Sequence, residues 1–232
     1  MGHRLGKRVL PLLLVAACAT ALAAGAEEEP AGAFVSMRVA RSGDIPAEQR
    51  AQAVAELARQ QADPQHVVVL VHGWDTPYYQ STRQFGRVAP QVRAEFDRLN
   101  ERAAVLGIQW DSNVGPRRTW IPAAFGHYFF SLLGLRKVIR DPYTSRIPVA
   151  RTLGRTGLRQ ILFDVRDRFP EARIHVFAHS MGAEATAHAI NPEFTPLSAG
   201  DDTPVYRPER PLKLDVVALA GADLDFDSGA RS

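Results

Sequence analysis

The sequence predicts an α/β fold in which a mostly parallel β-sheet is covered by helices on both faces. Short apolar runs of strand length alternate along the chain with longer segments of helical periodicity. The run HVVVLVHG, residues 66–73, is apolar at most positions, as in a strand buried on both faces. The chain has 232 residues, 46% of them hydrophobic, which is enough to bury one core. We therefore expect one domain, over residues 27–232.

Each element follows from its local pattern. The first strand is predicted in AFVSMRVARSG, residues 33–43, and Asp44 and Pro46 then open a helix. Further strands are predicted at residues 66–73, 104–110, from Arg173 onward and at 212–223. The apolar faces of three helices consist of Ala47, Ala51, Val54 and Ala58; Phe85, Val88, Val92, Phe96 and Leu99; and Leu158, Ile161, Leu162, Val165 and Phe169. Pro90 is expected to kink or restart the second helix.

The N-terminal segment has the layout of an export signal. Basic residues precede an apolar run, and small residues follow it. Two processing schemes remain open. VAAC, ending at Cys18, resembles the lipobox of bacterial lipoproteins, in which the cysteine becomes the lipidated first residue, whereas AGA before Glu27 suits an ordinary signal peptidase. We expect residues 1–26 to be a signal and the protein to be exported to the cell envelope, with membrane attachment where Cys18 is lipidated.

Charge and composition argue against several classes of function. The formal net charge is +3, but the signal contributes three basic residues and no acidic ones before Cys18, so the remainder is neutral. No mature stretch clusters basic and aromatic residues as a nucleic-acid groove would, and we expect no nucleic-acid partner. With a single cysteine, the chain forms no internal disulfide.

The stretch RIHVFAHSMGAEATAHAI, residues 173–190, runs from a strand pattern through a tight turn into a helix. Such a turn holds its apical residue in strained geometry and directs the side chain to solvent. Ser180 stands at the apex, between Ala178 and Gly182, whose small size lets strand and helix approach closely. The alternative is that Ser180 is only the helix N-cap. Position 183 is Ala, so a capping box is missing, and the pattern favours a nucleophile.

Two motifs carry a resemblance to a known superfamily. AHSMG resembles the nucleophile elbow of the α/β hydrolases, and VVVLVHGWDT, residues 67–76, resembles their oxyanion strand and loop. The similarity runs from Val67 to Asp227, and it is greatest to bacterial lipase- or esterase-like hydrolases with an AHSMG elbow. It implies an α/β-hydrolase fold and a Ser180 nucleophile that attacks an ester or other acyl bond of a small substrate. No cofactor or metal is expected for this chemistry.

The same resemblance implies the roles of the neighbouring residues. Backbone N–H groups of Met181 and Trp74 would hold the oxyanion. His72, Gly73 and His179 belong to the turns that present these groups, so we expect both histidines to be structural rather than catalytic bases.

The base and the acid are not settled by the sequence. The superfamily order is Ser, acid, His, but the histidine that follows Ser180 is His188, two turns along the elbow helix, so its side chain should point away from the nucleophile. Asp223 is a candidate acid, or else a solvated turn residue. The fold should continue beyond Asp223 for about two more strands. We therefore expect the domain to be incomplete at its C-terminus, with no suitable catalytic histidine.

Two functional hypotheses follow. The first is an exported or lipid-anchored serine hydrolase whose sequence is truncated. The second is a non-catalytic, hydrolase-like envelope protein that binds an acyl ligand or a partner.

Residues 119–143, rich in aromatics and leucine, are too short in their apolar part to span a membrane. They are either a lid or acyl-binding wall over Ser180 or a packed surface helix. Residues 191–211 are expected to form a plain loop.

Overall fold

A five-stranded parallel sheet forms the centre of the protein. The computed structural model describes residues 33–40, 42–74, 76–112, 146–191 and 212–221. The strands are β1 (Val35–Arg38), β2 (His66–Val71), β3 (Ala103–Gln109), β4 (Arg173–His179) and β5 (Val216–Ala220). Their order is β1-β3-β2-β4-β5, and all neighbours run parallel. The carboxyl ends of the strands therefore share one edge of the sheet, where ligands of α/β proteins usually bind.

Helices connect the strands and cover the sheet on both sides. They are α1 (Ala47–Gln60), α2 (Tyr78–Arg98), α3 (Ile147–Leu153), α4 (Arg159–Arg168) and α5 (Met181–Ile190). One turn of π-helix, Gly154–Leu158, joins α3 to α4. The alternation of strand and helix in the sequence predicted this architecture, and the prediction is confirmed.

Successive side chains of β2 point to opposite faces of the sheet, so they pack into two separate hydrophobic clusters. Val68 and Leu70 face α2, in a cluster with Phe85, Val88, Ala89, Val92, Phe96, Val105 and Phe177. Val67, Val69 and Val71 face the opposite side, where the larger cluster draws on α1, α3, α4 and α5 and includes Leu57, Leu153, Ile161, Leu162, Val165, Met181 and Ala185. A strand buried on both faces needs apolar residues at consecutive positions, which explains the unbroken valine and leucine run of β2.

Four local expectations need correction. Ala47 and Ala51, predicted on the apolar face of α1, are exposed, and the buried residues of that helix are Ala53, Val54 and Leu57. β1 is shorter than the stretch at 33–43 that predicted it. The helix does not restart at Pro90, because α2 continues through it and the buried residues on both sides of the proline hold the helix on the sheet. Leu99 is 48% exposed instead of buried, since α2 ends at Arg98 and the chain then reverses through Asn100 at a left-handed φ of 56°.

Several predictions fall outside the described residues. They concern the signal with Cys18, the segment 119–143, the loop at 192–211 and Asp223. Among the helices that are described, none is long and apolar enough to cross a bilayer.

Candidate active site

Ser180 is the single residue between β4 and α5. β4 ends at His179 and α5 begins at Met181, so the chain reverses within one residue. The backbone of Ser180 has φ 53° and ψ −126°, a conformation that residues with a β-carbon rarely adopt. Strain of this kind persists only where the surrounding structure imposes it, and it is common at active sites. The strand–serine–helix geometry is that of a nucleophile elbow.

The side chain of Ser180 does not cap α5. The helix start has no side-chain cap hydrogen bond, and the first turn is closed instead by the N–H of Ala183, which donates to the backbone O of Ser180 at 2.8 Å. The capping alternative considered for this serine is therefore wrong.

Two glycines permit the close approach of the elbow to the end of β2. A β-carbon at Gly182 would stand 2.5 Å from the carbonyl O of His72, and one at Gly73 would stand 2.8 Å from the Cβ of Ser180. Contacts this short do not occur in folded proteins, so both positions require glycine at this spacing. Ala178, at the end of the buried part of β4, is 3% exposed. The small residues of the two motifs thus bring the turn at His72 and Gly73 (the HG turn) against the serine.

The elbow is also tied to the next strand. The N–H of Ser180 donates to the carbonyl O of Ala220 at 2.9 Å, and Gly221 follows with φ 55°. Since β4 lies between β2 and β5, the serine is flanked on one side by the HG turn and on the other by the segment after β5. Asp223, the candidate acid, lies beyond that segment and outside the described residues.

His72 is buried beneath the turn, and both of its ring nitrogens have partners. Nε2 accepts the backbone N–H of Trp110 at 3.0 Å, and Nδ1 is 2.8 Å from the carbonyl O of Gly73. Burial lowers the pKa of the imidazole to about 4. A ring that is buried, neutral and bonded at both nitrogens is not available as a general base for Ser180.

His179 is the one exposed histidine among the described residues. Its Nδ1 lies 3.0 Å from the place that a β-carbon on Gly73 would occupy, so the imidazole borders the HG turn. It also borders the segment after β5, since a β-carbon on Gly221 would lie 3.8 Å from its Nε2. His179 therefore forms part of the wall around the serine.

His188 points into the protein, away from the solvent-facing edge. It is 5% exposed, and its Nε2 lies 3.3 Å from Oε1 of Glu184, one turn earlier on α5. The same carboxylate oxygen accepts a hydrogen bond from Nε of Arg151 on α3 at 2.7 Å. Burial acts to raise the pKa of Glu184, but the bonds from His188 and Arg151 outweigh it, and the pKa lies below its ordinary value. His188 thus contacts the carboxylate whose ion pair with Arg151 fastens α5 to α3.

The remaining described histidines, His66 and His175, lie in the amino-terminal halves of β2 and β4, at the other end of the sheet from Ser180. Nδ1 of His66 is 2.9 Å from Nε2 of His175, and Nε2 of His66 is 2.8 Å from a carboxylate oxygen of Glu101. Among the described residues, no histidine is hydrogen-bonded to the hydroxyl of Ser180: His72, His188 and the pair of His66 and His175 are bonded elsewhere, and His179 borders the serine without such a bond. Nor do the described residues contain a group of His, Cys, Asp or Glu side chains that could hold a metal ion.

Sequence reasoning missed the partners that hold the motif residues. Trp110 looked like an ordinary strand end, and nothing in the sequence connects it with His72. Glu184 and His188 could have been found, because their i, i+4 spacing places them on one face of a helix. Arg151, which forms the ion pair with Glu184, comes from a different helix.

A parallel sheet of this order, with a serine elbow and an HG turn beside it, is the arrangement of the α/β hydrolases. The comparison of the chain with protein families agrees. The chain belongs to the family described as "Alpha/beta hydrolase of unknown function (DUF900)", whose model matches residues 47–231. The superfamily resemblance drawn from the two motifs is thereby confirmed. No curated protein and no solved structure matches the chain.

Proposed function

We propose that the protein is a serine hydrolase that cleaves an ester or other acyl bond with Ser180 as nucleophile. One observation carries the proposal: Ser180 is held at a positive φ between β4 and α5, without a capping role and directly against the HG turn. A strained serine whose side chain has no structural task is expected where the hydroxyl is needed for chemistry.

The reaction would be acyl transfer in two steps. Ser180 Oγ bonds to the carbonyl carbon and loses its proton to a base, and the carbonyl oxygen becomes an oxyanion. Backbone N–H groups of Met181 and Trp74 stabilise that charge. The bond to the leaving alcohol or amine then breaks and the base returns the proton; water next displaces the acyl group from Oγ by the same route. Asp223 remains our candidate for the acid, and we assign no base, since no described histidine is hydrogen-bonded to Ser180.

The proposal is tested by turnover of 4-nitrophenyl butyrate and by covalent labelling with a fluorophosphonate. We expect both in the wild type and neither in Ser180→Ala. His188→Gln is the matched control, because His188 is bonded to Glu184 and should not be needed in the chemical step. Turnover that survives Ser180→Ala would refute the proposal, and turnover that requires His188 would show that our reading of the base is wrong.

A second function is favoured by a separate observation: among the described residues, no histidine is hydrogen-bonded to Ser180. The alternative is a non-catalytic envelope protein that uses the same edge of the sheet to bind an acyl ligand. It predicts no Ser180-dependent turnover and no fluorophosphonate labelling, together with saturable binding of a fatty-acid probe that Ser180→Ala leaves intact.

We also propose that the protein is exported and anchored by a lipid on Cys18, on the basis of VAAC at the end of the apolar run. In a bacterial host, the mature protein should partition into the detergent phase, and Cys18→Ser should move it to the aqueous phase or block its processing. Aqueous partitioning of the wild type would leave ordinary secretion.

A further inference from the structure

The HG turn is held by the end of β3 through a reciprocal pair of hydrogen bonds. The backbone N–H of Trp110 donates to Nε2 of His72 at 3.0 Å, and the indole Nε1–H of Trp110 donates to the backbone O of His72 at 2.9 Å. The two rings stack with centroids 5.7 Å apart and an angle of 13° between planes. Both side chains are almost fully buried, at 1% and 2% exposed, so these bonds are shielded from competing water.

A second reciprocal pair holds the far side of the same turn. The backbone N–H of Thr76 donates to Oγ of Ser112 at 3.1 Å, and that hydroxyl donates to the backbone O of Thr76 at 3.3 Å. The hydroxyl of Thr76 in turn donates to the backbone O of Trp74 at 3.2 Å. Residues 110–112 therefore clamp the turn at both ends.

The hydrogen bond from the backbone N–H of Trp110 selects one tautomer of His72. A backbone N–H can only donate, so Nε2, which faces the N–H of Trp110, carries no proton. The neutral ring then has its proton on Nδ1, and Nδ1–H donates to the carbonyl O of Gly73 at 2.8 Å. Burial lowers the pKa of His72 to about 4, so the ring is neutral at pH 7 and carries a single proton.

The bond to Gly73 fixes the plane of the next peptide. No cis peptide occurs in the described residues, so the C=O of Gly73 and the N–H of Trp74 point in opposite directions. With the carbonyl turned toward His72 beneath the turn, the N–H of Trp74 is turned the other way. The turn itself abuts Ser180, as the Gly73 spacing shows.

We propose that His72 is a positioning residue that orients the Gly73–Trp74 peptide so that the Trp74 N–H meets the oxyanion, and that Trp110 and Ser112 hold it in place. The inference rests on the proposed function and adds to it the group that pre-orients one oxyanion donor. Donors that are already oriented need no rearrangement during the reaction, which is where much of their benefit arises.

The first test reads the tautomer directly and needs no activity. A long-range ¹H–¹⁵N correlation spectrum of the full chain at pH 7 should show the His72 ring protonated on Nδ1, with an unprotonated Nε2. In Trp110→Phe the indole donor is lost while the backbone N–H stays, so the tautomer should persist. An Nε2–H tautomer or an imidazolium in the wild type overturns the proposal.

The second test separates the two bonds of His72 with a matched pair of variants. The amide of His72→Asn can reach the Gly73 carbonyl but not the Trp110 N–H, whereas the longer His72→Gln can accept from Trp110 but no longer reaches Gly73. We expect His72→Asn to keep kcat within about 10-fold and to lower Tm, because a buried N–H loses its acceptor. We expect His72→Gln to keep the higher Tm and to lower kcat by about 100-fold, with KM little changed in both.

A merely structural role for His72 would give the opposite pattern, with kcat following Tm, and that result would overturn the proposal. Ser180→Ala, measured in parallel, distinguishes the two levels of inference. If the wild type has no Ser180-dependent turnover, the proposed function fails. The positioning role of His72 then fails with it, even if the tautomer is as expected. Where Ser180-dependent turnover is present but His72→Gln does not lose more of its kcat than His72→Asn, only the positioning role fails.

Discussion

Gly182 lies so close to the end of β2 that a β-carbon on it would stand 2.5 Å from the carbonyl O of His72 and 2.8 Å from that of Val71. The first turn of α5 therefore rests directly on the backbone at the end of β2. Neither carbonyl can move without disturbing β2, the central strand of the sheet, so the separation between the elbow and the HG turn is set by a hard contact.

Gly182→Ala should move α5 away from β2 and lower kcat/KM for 4-nitrophenyl butyrate by at least about 10-fold, besides lowering the free energy of unfolding by about 1–3 kcal/mol. Gly107→Ala is the matched control. Its β-carbon would also stand 2.5 Å from a neighbour, the ring of Phe85, but in the core beneath α2. It should lower stability similarly and leave kcat/KM of the folded protein near the wild-type value. Equal losses of activity in both variants would mean that the elbow contact has no special role.

Ser180→Gly should raise the free energy of unfolding. Strain at a positive φ costs about 1–3 kcal/mol, and glycine relieves it, while the greater freedom of glycine in the unfolded chain offsets about 0.4–1 kcal/mol of the gain. A net increase of about 1 kcal/mol should appear in urea unfolding. Ser180→Ala, which keeps the β-carbon, should stay near the wild type. The two variants having the same stability would show that the backbone at Ser180 is not strained.

The stability of the protein should fall in mild acid because of the buried pair of His66 and His175. Glu101 accepts from His66 Nε2–H, so Nδ1 of His66 accepts from Nε2–H of His175, and Nδ1 of His175 has no hydrogen-bond partner among the described residues. Burial lowers the pKa of His175 to about 4, helped by the neighbouring His66, and burial also lowers the pKa of His66.

Between pH 6.5 and about 4, the unfolded chain therefore binds a proton that folded His175 rejects, and stability decreases as the pH falls through this window. In His175→Gln the amide can still donate to His66 but does not titrate. The variant should lose about 2–3 kcal/mol less than the wild type from pH 7 to pH 4, measured by urea unfolding at each pH. Parallel losses in the two proteins would contradict this account of the pair.

The network of Arg151, Glu184 and His188 should contribute much more than a surface ion pair. Glu184→Ala leaves a buried histidine and a partly buried arginine without their carboxylate, and it should cost about 2–4 kcal/mol in unfolding free energy. Glu184→Gln keeps an acceptor oxygen and should cost less. Glu95→Ala, which removes a surface pair with Arg98 on α2, should cost no more than about 0.5 kcal/mol. Comparable effects of Glu184→Ala and Glu95→Ala would count against a stabilising role for the network.

The sequence predicted the sheet and the elbow because both depend on local patterns. Alternation of apolar strands and amphipathic helices determines the architecture. The small residues around Ser180 indicate a tight reversal, because strand and helix can approach closely only where the side chains are small. The extent of α2 was harder, since a proline inside a helix is tolerated only when tertiary packing on both sides compensates for it.

The supports of the site could not be predicted in the same way. His72 has its role through Trp110, and Glu184 through Arg151, and each pair joins segments far apart in the chain. Residue types such as tryptophan at a strand end or glutamate in a helix have ordinary explanations. Only the three-dimensional neighbours show that these side chains are buried and bonded.

The hydrogen bond from Ser180 N–H to Ala220 O also bears on the order in which the protein assembles. β5 is made well after the elbow, and its carbonyl is one of the contacts that hold the serine at its unfavourable φ. While the chain is being synthesised, the segment 173–190 has its strand and helix signals but lacks this contact until β5 has been made. We therefore expect the strained backbone conformation of Ser180 to be acquired late, when β5 joins the sheet, and the serine of a partly made chain to be relaxed.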